Sequence, residues 1–524
     1  MTRLRFALLF DGTRLEQWRL RCLEELEPHA ELARVVVAPR TPAVDSAGSR
    51  LLDAYARRLE QGSLVELGEQ FAAGPAPGVA GGDDAIDFVL GLGQVTVPPG
   101  LAEATRLGVW RFEHEVRAQR LPFFAEVYAG EDVTRAALVA VDGPQGTLTI
   151  EEGVFRTDKR SYGASRARIV NAIAVWPARA CRRLSHGSVQ LQQRTMTAGT
   201  KRRCGLARFA GKLAARRLGL AWERLFRHPQ WNVGVLHRPI EALLEPGAYN
   251  DADVDWFPLD GKEGFLADPF AVLRDGHLQI LCEYFDYRES RGRICALEHS
   301  AHGFSSERRD ALSPPVHTSY PFLLDLPDGI YCVPETANAG EIALYRATEL
   351  LGEWVKVTVL VEGFPGVDPT VFRHDGHWWL LCTRKGAQED SELWVWHAPE
   401  VTGPWESHPL NPVKTDVRGA RPAGPPFVHD GVLYRPTQDC SATYGGRTTL
   451  QRVTHLTPTE FAEEPVTVLE ASARSPFPRG PHTVTPIGDV VLVDGCRTTF
   501  VPAAFRAFLA IWARSLTRRM RRSS

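Results

Sequence analysis

The second half of the chain writes one short phrase five times: a polar residue, a proline, an apolar strand, a tight turn and a second apolar strand. The copies run Asp268-Pro-Phe to Asp275-Gly and LQILCEY, Tyr320-Pro-Phe to Asp328-Gly and IYCVPET, and Asp368-Pro-Thr to Asp375-Gly and WWLLCTR. A fourth runs Arg421-Pro, Phe427, Asp430-Gly and LYRPTQD, and a blurred fifth runs Thr485-Pro, Gly488-Asp and VVLVDGC. Their prolines fall at 269, 321, 369, 422 and 486, a period of roughly fifty residues, which is the range of propeller blades. Asp-Gly between apolar runs signals a hairpin, because glycine accepts the positive φ that tight hairpin turns need. The pattern predicts an all-β five-bladed β-propeller over 231–500, a fold that sets one selected residue per blade around a shared mouth.

Hairpin geometry then predicts who meets at that mouth. The start of the first strand and the end of the second lie at the same end of an antiparallel hairpin. Asp268 should therefore meet Glu283, Tyr320 meet Glu335, Asp368 meet Thr383 and Arg384, and Arg421 meet Gln438 and Asp439, with His482 entering from the fifth repeat. Carboxylates that face one another have their pKa values pushed apart, as acid–base chemistry on a sugar requires. Asp268 and Asp368 read as functional, because they recur at a rim position that Tyr320 and Arg421 occupy elsewhere. Asp before Pro is also a common turn starter, and Glu283, Glu335 and Asp439 suit structure as well as chemistry; the Asp of each Asp-Gly is turn chemistry. Trp378, Trp379, Trp394, Trp396 and Trp405 read mainly as core. His482 with nearby carboxylates could hold a Ca²⁺ or a water at the propeller axis.

Residues 1–185 follow another rule. RFALLF (5–10), ARVVVA (33–38), AIDFVLGLG (85–93), LGVWRF (107–112) and RAALVAV (135–141) read as short apolar strands. Helices are expected from about Leu15 to Leu26 and near 49–60. That alternation predicts an α/β Rossmann-like parallel sheet covered on both faces. No GxGxxG follows the first strand, so a dinucleotide site lacks its motif. The segment Gly108-Val-Trp-Arg-Phe-Glu-His114, followed by Leu121-Pro and FFAEVYAGEDVT, resembles the folate-dependent formyltransferases. The resemblance implies a formyltransferase-type fold in which an Asn, a His and an Asp orient the formyl carbonyl and relay protons. His114 matches the His; Arg111 or Phe112 stands where Asn is expected, and the aspartate is displaced to Asp142 or replaced by Gln145. A lost folate site and lost formyl transfer follow, with residual formyl transfer onto an amino sugar as the alternative. His114 reads equally well as a strand-end histidine with a satisfied hydrogen bond.

With 524 residues the chain exceeds one ordinary core. Lys plus Arg is 61 against 63 Asp plus Glu, so no global charge invites nucleic acid. Nine cysteines without a CxxC pair suit reduced thiols buried in strands. The opening MTRLRFALLFDG is too short an apolar run for a signal peptide, and no stretch is long enough to span a bilayer, so a cytoplasmic protein is expected. Residues 186–230 read as a basic helical linker carrying Lys201, Arg202, Arg203, Arg208, Lys212, Arg216 and Arg217. In the tail, 501–524, Phe505, Phe508, Leu509, Trp512, Leu516 and Met520 share one helical face, opposite Arg506, Arg514, Arg518, Arg521 and Arg522. Such a helix suits an anionic membrane surface, peripheral at the inner face, or else docks on the propeller with its arginines in solvent.

From Trp231-Asn-Val-Gly to about residue 470, the chain is similar to the N-terminal domain of plant glucosamine inositolphosphorylceramide transferases and its bacterial relatives. The matching phrases are Ala267-Asp-Pro-Phe, Ser319-Tyr-Pro-Phe, Pro334-Glu335, Val367-Asp-Pro-Thr and, most specific, Gly419-Ala-Arg421-Pro with Asp430-Gly-Val-Leu-Tyr-Arg435, Gln438-Asp-Cys and Thr443-Tyr-Gly-Gly-Arg447. The plant proteins carry a separate glycosyltransferase domain after this one; the residues after 500 are too few to encode it, so the plant activity is not expected to transfer. More distantly, the blades resemble five-bladed inverting glycosidases. That likeness implies Asp268 as base and Asp368 as pKa modulator, but places Arg421 and Gly424 where the acid Glu would stand. Arg offers a planar fork for phosphate or carboxylate.

The resulting expectation is a glycan-modifying or glycosyl-transferring enzyme acting on an anionic or phosphate-linked glycan or glycolipid in surface-glycan assembly. Asp268 would be the base, Asp368 the modulator and Glu335 or Glu283 the acid. Arg384, Arg421 and Arg435 would engage the anionic group, with Tyr320, Gln438, Asp439, Tyr444, Arg447 and His482 also contacting substrate. The alternatives are an inverting glycoside hydrolase and a non-catalytic glycan-binding module.

Overall fold

A computed structural model of the protein describes residues 3–12, 14–41, 58, 63–66, 85–117, 121–143, 146–187, 192–193, 205–259, 261–506 and 508. The chain divides into two compact units, Met1–Arg217 and Leu218–Ser524. The division falls inside the helix Leu206–Phe226. Three of its basic residues bond backbone carbonyls of the first unit: Lys212 to Tyr128 (3.1 Å), Arg216 to Val127 (2.6 Å) and Lys159 (2.9 Å), and Arg217 to Arg160 (3.1 Å). Lys201, Arg202 and Arg203 lie outside the described residues.

The first unit is a mixed sheet. Ala30–Val37, Leu4–Phe10, Phe88–Gly91 and Val109–Phe112 lie side by side in that order and run parallel. Leu4–Phe10 is apolar on both faces because both are covered. Phe6, Leu8 and Phe10 pack with Trp18, Phe88, Trp110 and Trp176 on one side, and Ala7 and Leu9 pack with Val89, Val109 and Val139 on the other. The expected all-parallel sheet stops there. Val133–Gly143 pairs antiparallel with Val109–Phe112, and Gly146–Arg156 pairs antiparallel with it in turn. The expected helix near 49–60 and Gln145 fall outside the described residues. His114 sits in the short helix Glu113–Val116, buried, with its ring packed against those of Trp18, Phe112 and Phe123. Burial, with Arg19 and Arg166 nearby, holds His114 down at about 3. It is a neutral core histidine in this structure.

The second unit is a propeller of five antiparallel sheets. Four blades take consecutive strands. Their first two are Gly264–Arg274 and His277–Asp286, Ser319–Leu326 and Gly329–Glu335, Gly366–His374 and His377–Arg384, and Phe427–His429 and Val432–Asp439. The fifth closes the ring: Val484–Ile487 and Val490–Thr499 are joined by His228–Leu236 and Val254–Trp256 from the start of the unit. Three of the Asp-Gly turns have both residues at positive φ, namely Asp275-Gly276 (51°, 79°), Asp375-Gly376 (45°, 80°) and Asp430-Gly431 (50°, 75°). Two successive positive φ values suit the twist of a two-residue hairpin. In the fifth repeat Pro486 lies within a strand, paired with Val491, so His482 rather than Thr485 reaches the rim.

The eight cysteines among the described residues are free thiols, all buried. Among the described residues no helix is long and apolar enough to cross a membrane. Of the basic tail, Phe505 packs its ring against Phe226 (5.9 Å) and Phe500 (5.8 Å). Leu509, Trp512, Arg514, Leu516, Arg518, Met520, Arg521 and Arg522 lie outside the described residues.

Candidate active site at the propeller mouth

The innermost strand of three blades begins with the same kink. Asp268, Tyr320 and Asp368 have φ of 53°, 44° and 51°, each precedes a proline, and each sits in a break of the strand register. Left-handed backbone at a non-glycine residue costs about 1–3 kcal/mol. Here it turns each amide towards a carboxylate. The N–H of Asp268 donates to Asp494 (3.1 Å), that of Tyr320 to Asp268 (3.3 Å) and that of Asp368 to Glu335 (3.2 Å). All three bonds join successive blades: fifth to first, first to second, and second to third. The fourth blade contributes a side chain instead: Arg421 Nε donates to Asp368 at 2.6 Å and its Nη1 to Asp390 at 3.2 Å.

The carboxyl groups gathered this way are buried and unequally compensated. Glu335 is pushed up to about 8, first by burial and then by Asp368, with Arg421 opposing. Burial, then Asp268, Glu335 and Asp368, raise Glu283 well above the usual range. Asp268 is raised to about 6 by burial, with His482 opposing and Asp368 and Asp494 adding. Asp368 receives Arg421 and also Gln438 Nε2 at 2.8 Å. Burial pulls His482 down, but Asp494 and Asp268 beside it raise it above its ordinary value. The mouth therefore holds protonated and ionised carboxyls together near neutrality.

Asp268, Glu283, Glu335, Asp368, Arg421, Gln438 and His482 are all buried at this mouth. Several other assignments change. Tyr320 is fully buried, and its hydroxyl pairs with Thr370 (2.9 Å) and accepts the Gly424 N–H (2.7 Å), so it braces the mouth and cannot meet substrate. Arg435 is buried in a two-pronged pair with Glu463 (2.9 and 2.6 Å) and also donates to the Gly419 carbonyl (2.7 Å), which removes it as an anion ligand. Arg384 is exposed, its guanidinium 5.4 Å from the Phe364 ring centre. Asp439 accepts from Arg447 at 2.9 Å, and Arg447 also reaches Glu470. Arg421 has Nε and both terminal nitrogens engaged, by Asp368, Asp390 and the Tyr444 hydroxyl (3.4 Å). Its charge balances the mouth rather than a ligand.

Sequence reasoning missed Asp494, Thr483 and Asp390. Asp494 is fully buried, pairs with His482 Nδ1, and accepts the N–H groups of His482 (2.9 Å) and Thr483 (3.0 Å). It lies within the second strand of the fifth repeat, Val490–Thr499, whereas Glu335 ends that of the second, Gly329–Glu335. Thr483 donates its hydroxyl to Asp268 at 2.8 Å. Asp268, His482 and Asp494 have donor atoms within 4.8 Å of one another. Their oxygens already accept protein N–H and O–H bonds, and Ca²⁺ takes 6–8 oxygen ligands, so this trio does not fit a Ca²⁺ cage.

Beside the mouth opens a cavity of about 760 Å³ lined by Trp231, Phe265, Phe285, Tyr287 and Tyr444, with Arg227, Arg479 and Glu223 among its polar walls. Trp231 stacks on His482 (4.0 Å, 17°), whose Nε2 lies 3.6 Å from Asp268. Tyr444 bridges to Arg421. Aromatic faces that border a carboxyl cluster are what a sugar ring packs on.

Residues 259–475 match the sequence profile of the family described as glucosamine inositolphosphorylceramide transferase 1, N-terminal. Glucosamine inositolphosphorylceramide transferase 1 of Oryza sativa subsp. japonica is 36% identical over 217 residues, which are 40% of this chain and 29% of that protein. Its Arabidopsis thaliana counterpart is 34% identical over 217 residues, 40% of this chain and 28% of that protein. Over this stretch the chain is similar to that N-terminal domain, and it spans less than a third of the length of these plant proteins. Among solved structures, a family 117 glycoside hydrolase, Zg3597 of Zobellia galactanivorans, aligns at 15% identity with a TM-score of 0.34, over 52% of this chain and 91% of that one.

Proposed function

We propose that the propeller mouth is the active site of a carbohydrate-active enzyme that moves or cleaves a glycosyl group carried on an anionic, phosphate-linked glycan or glycolipid. The observation that carries this reading is a buried acid and a buried base on either side of neutrality, Glu335 at about 8 and Asp268 at about 6, next to an aromatic cavity. At neutral pH the Glu335 carboxyl holds its proton and gives it to the oxygen leaving the anomeric carbon. Asp268, ionised, takes the proton of the incoming hydroxyl as the new carbon–oxygen bond forms. Asp368, fixed by Arg421 and Gln438, stands beside Glu335 and, after burial, is what raises it most.

The anionic part of the substrate falls to Arg479 and Arg227 rather than Arg421. Both line the cavity; Arg479 bonds the Cys496 thiol (2.9 Å) and Arg227 the Thr498 hydroxyl (3.3 Å), and among the described residues neither forms an ion pair with a carboxylate. The similarity to proteins named glucosamine inositolphosphorylceramide transferase supports a phosphate-linked substrate. A glycolipid substrate would bring the protein to a membrane surface.

The test is turnover of sugar phosphates, glycosyl inositol phosphates and aryl glycosides by the full chain across pH. Activity should rise as pH passes about 6 and fall as it passes about 8. Asp268→Asn should lose about 10²–10⁴-fold in rate, and Arg479→Ala should weaken only the anionic substrates. Release of free sugar from aryl glycosides, lost in Asp268→Asn, would favour the hydrolase reading. Sugar binding without turnover at any pH would leave a glycan-binding module, and full activity in Asp268→Asn would remove the assigned base.

A further inference from the structure

The junction between the fifth and first blades carries a second cluster, made of residues that the mouth does not use. His237 follows the closing strand His228–Leu236, Asp255 lies on the strand Val254–Trp256 beside it, and His299 lies on Arg291–Ser300 of the first blade. Each offers one ligand atom, and these atoms all lie within 4.8 Å of one another.

The members are differently held. His299 is buried, its ring fixed edge-on to Phe304 at 4.8 Å, and its Nε2 stands 3.0 Å from Asp255 Oδ2. Zinc bonds of about 2.0–2.2 Å set neighbouring ligands of a tetrahedral site roughly 3.4 Å apart, so this hydrogen-bonded pair stands just inside one edge and needs only a small separation to admit an ion. His237 is exposed, with its ring centre 5.8 Å from that of His299 at 44°, and can rotate to close the set.

We propose that His237, Asp255 and His299 form a Zn²⁺ site that pins the fifth blade to the first. Two imidazoles and one carboxylate suit a borderline cation such as Zn²⁺, whereas Ca²⁺ and Mg²⁺ call for oxygen ligands. The exposed side of His237 gives the ion its entry path and leaves a fourth position to water. Ring closure itself rests on the pairing of His228–Leu236 with Val490–Thr499; the ion would add a tie between the strands that begin the unit and the first blade.

The experiment titrates Zn²⁺ into the full, chelator-treated chain by calorimetry and follows thermal unfolding. One Zn²⁺ per chain and a higher melting temperature are expected, and Co²⁺ should give the visible bands of a nitrogen–oxygen site. His237→Ala, an exposed position that leaves the apo melting temperature in place, should abolish stoichiometric binding and the thermal shift; Asp255→Asn, which keeps a hydrogen bond to His299, should weaken both. Absence of stoichiometric binding to the parent protein would overturn the proposal. So would equal Zn²⁺ binding by the parent and His237→Ala, or a Ca²⁺ effect as large as that of Zn²⁺.

Discussion

The two units bury carboxylates in opposite ways. In the first, Glu16 is buried between Arg19 (3.1 Å) and Arg166 (2.6 Å) and accepts the Trp18 indole N–H at 3.0 Å. Burial alone would raise it, yet the two guanidinium groups bring it down to about 2. At the mouth, burial and neighbouring carboxylates together raise Asp268, Glu283 and Glu335, with His482 opposing only in part at Asp268 and Arg421 at Glu335. Glu463 shows that the propeller can also build the first kind of site, since Arg435 and Lys414 hold it below its usual value. The contrast is therefore local. A buried carboxylate given its cations is a brace, and one left among other carboxylates keeps a proton it can donate.

Removing the Arg421 guanidinium from the mouth should break that contrast most severely. Arg421→Met strips the cation from Asp368 and Asp390, and loss of one partner of a buried pair costs about 3–5 kcal/mol. Hydrogen exchange should locate the loss in the propeller, with the mouth strands exchanging faster and the first unit unchanged. Protection like that of the parent protein would mean that Arg421 does not hold the cluster together.

Proton linkage separates the units by sign. Glu16 is lowered in the folded state, so its contribution is present above its unfolded value of 4.5 and is lost as pH falls towards 2. For a fully developed shift that amounts to about 3 kcal/mol. Glu335 is raised, so its contribution is complete below 4.5 and is lost as pH rises towards 8; Asp268 adds the same sign between 3.8 and 6. Peptide-resolved exchange should show the first unit loosening on the acid side and the propeller on the alkaline side. Loosening of both units in the same direction would erase the distinction.

The mouth was legible where local geometry decided it. A period near fifty and the Asp-Gly hairpins place Asp268 opposite Glu283 and Asp368 opposite Thr383, and the observed pairing is one residue off in each case, Ala267 with Glu283 and Val367 with Thr383. The slip arises because the kink before each proline inserts residues into the first strand. Partners that arrive from afar were not legible. Arg435 looked like an anion ligand until Glu463 came in from the outer strand of its blade, and Tyr320 looked accessible until Gly424 closed on its hydroxyl from the fourth blade. Asp494 was hidden because the fifth copy scrambles its proline and turn. In the first unit, apolar runs mark the strands, but no local pattern tells Val133–Gly143 to run antiparallel.

The smallest expected change is also the sharpest discriminator. Glu335→Gln replaces a carboxyl that is already protonated at neutral pH by a neutral group of the same shape, and an amide can still accept the Asp368 N–H. Stability near pH 7 should shift by less than about 1 kcal/mol, since a hydrogen bond is exchanged for another and no charge is stranded. Above pH 8 the variant should be the more stable of the two, because the parent protein must ionise Glu335 beside Asp368. Activity should vanish throughout, as an amide has no proton to donate to the leaving oxygen. Glu16→Gln, the same chemical change in the first unit, should instead destabilise at neutral pH by leaving Arg166 without its carboxylate. If the two substitutions proved equally costly at pH 7, the mouth carboxyls would be braces like Glu16, and the acid–base assignment would have no protonated acid to rest on.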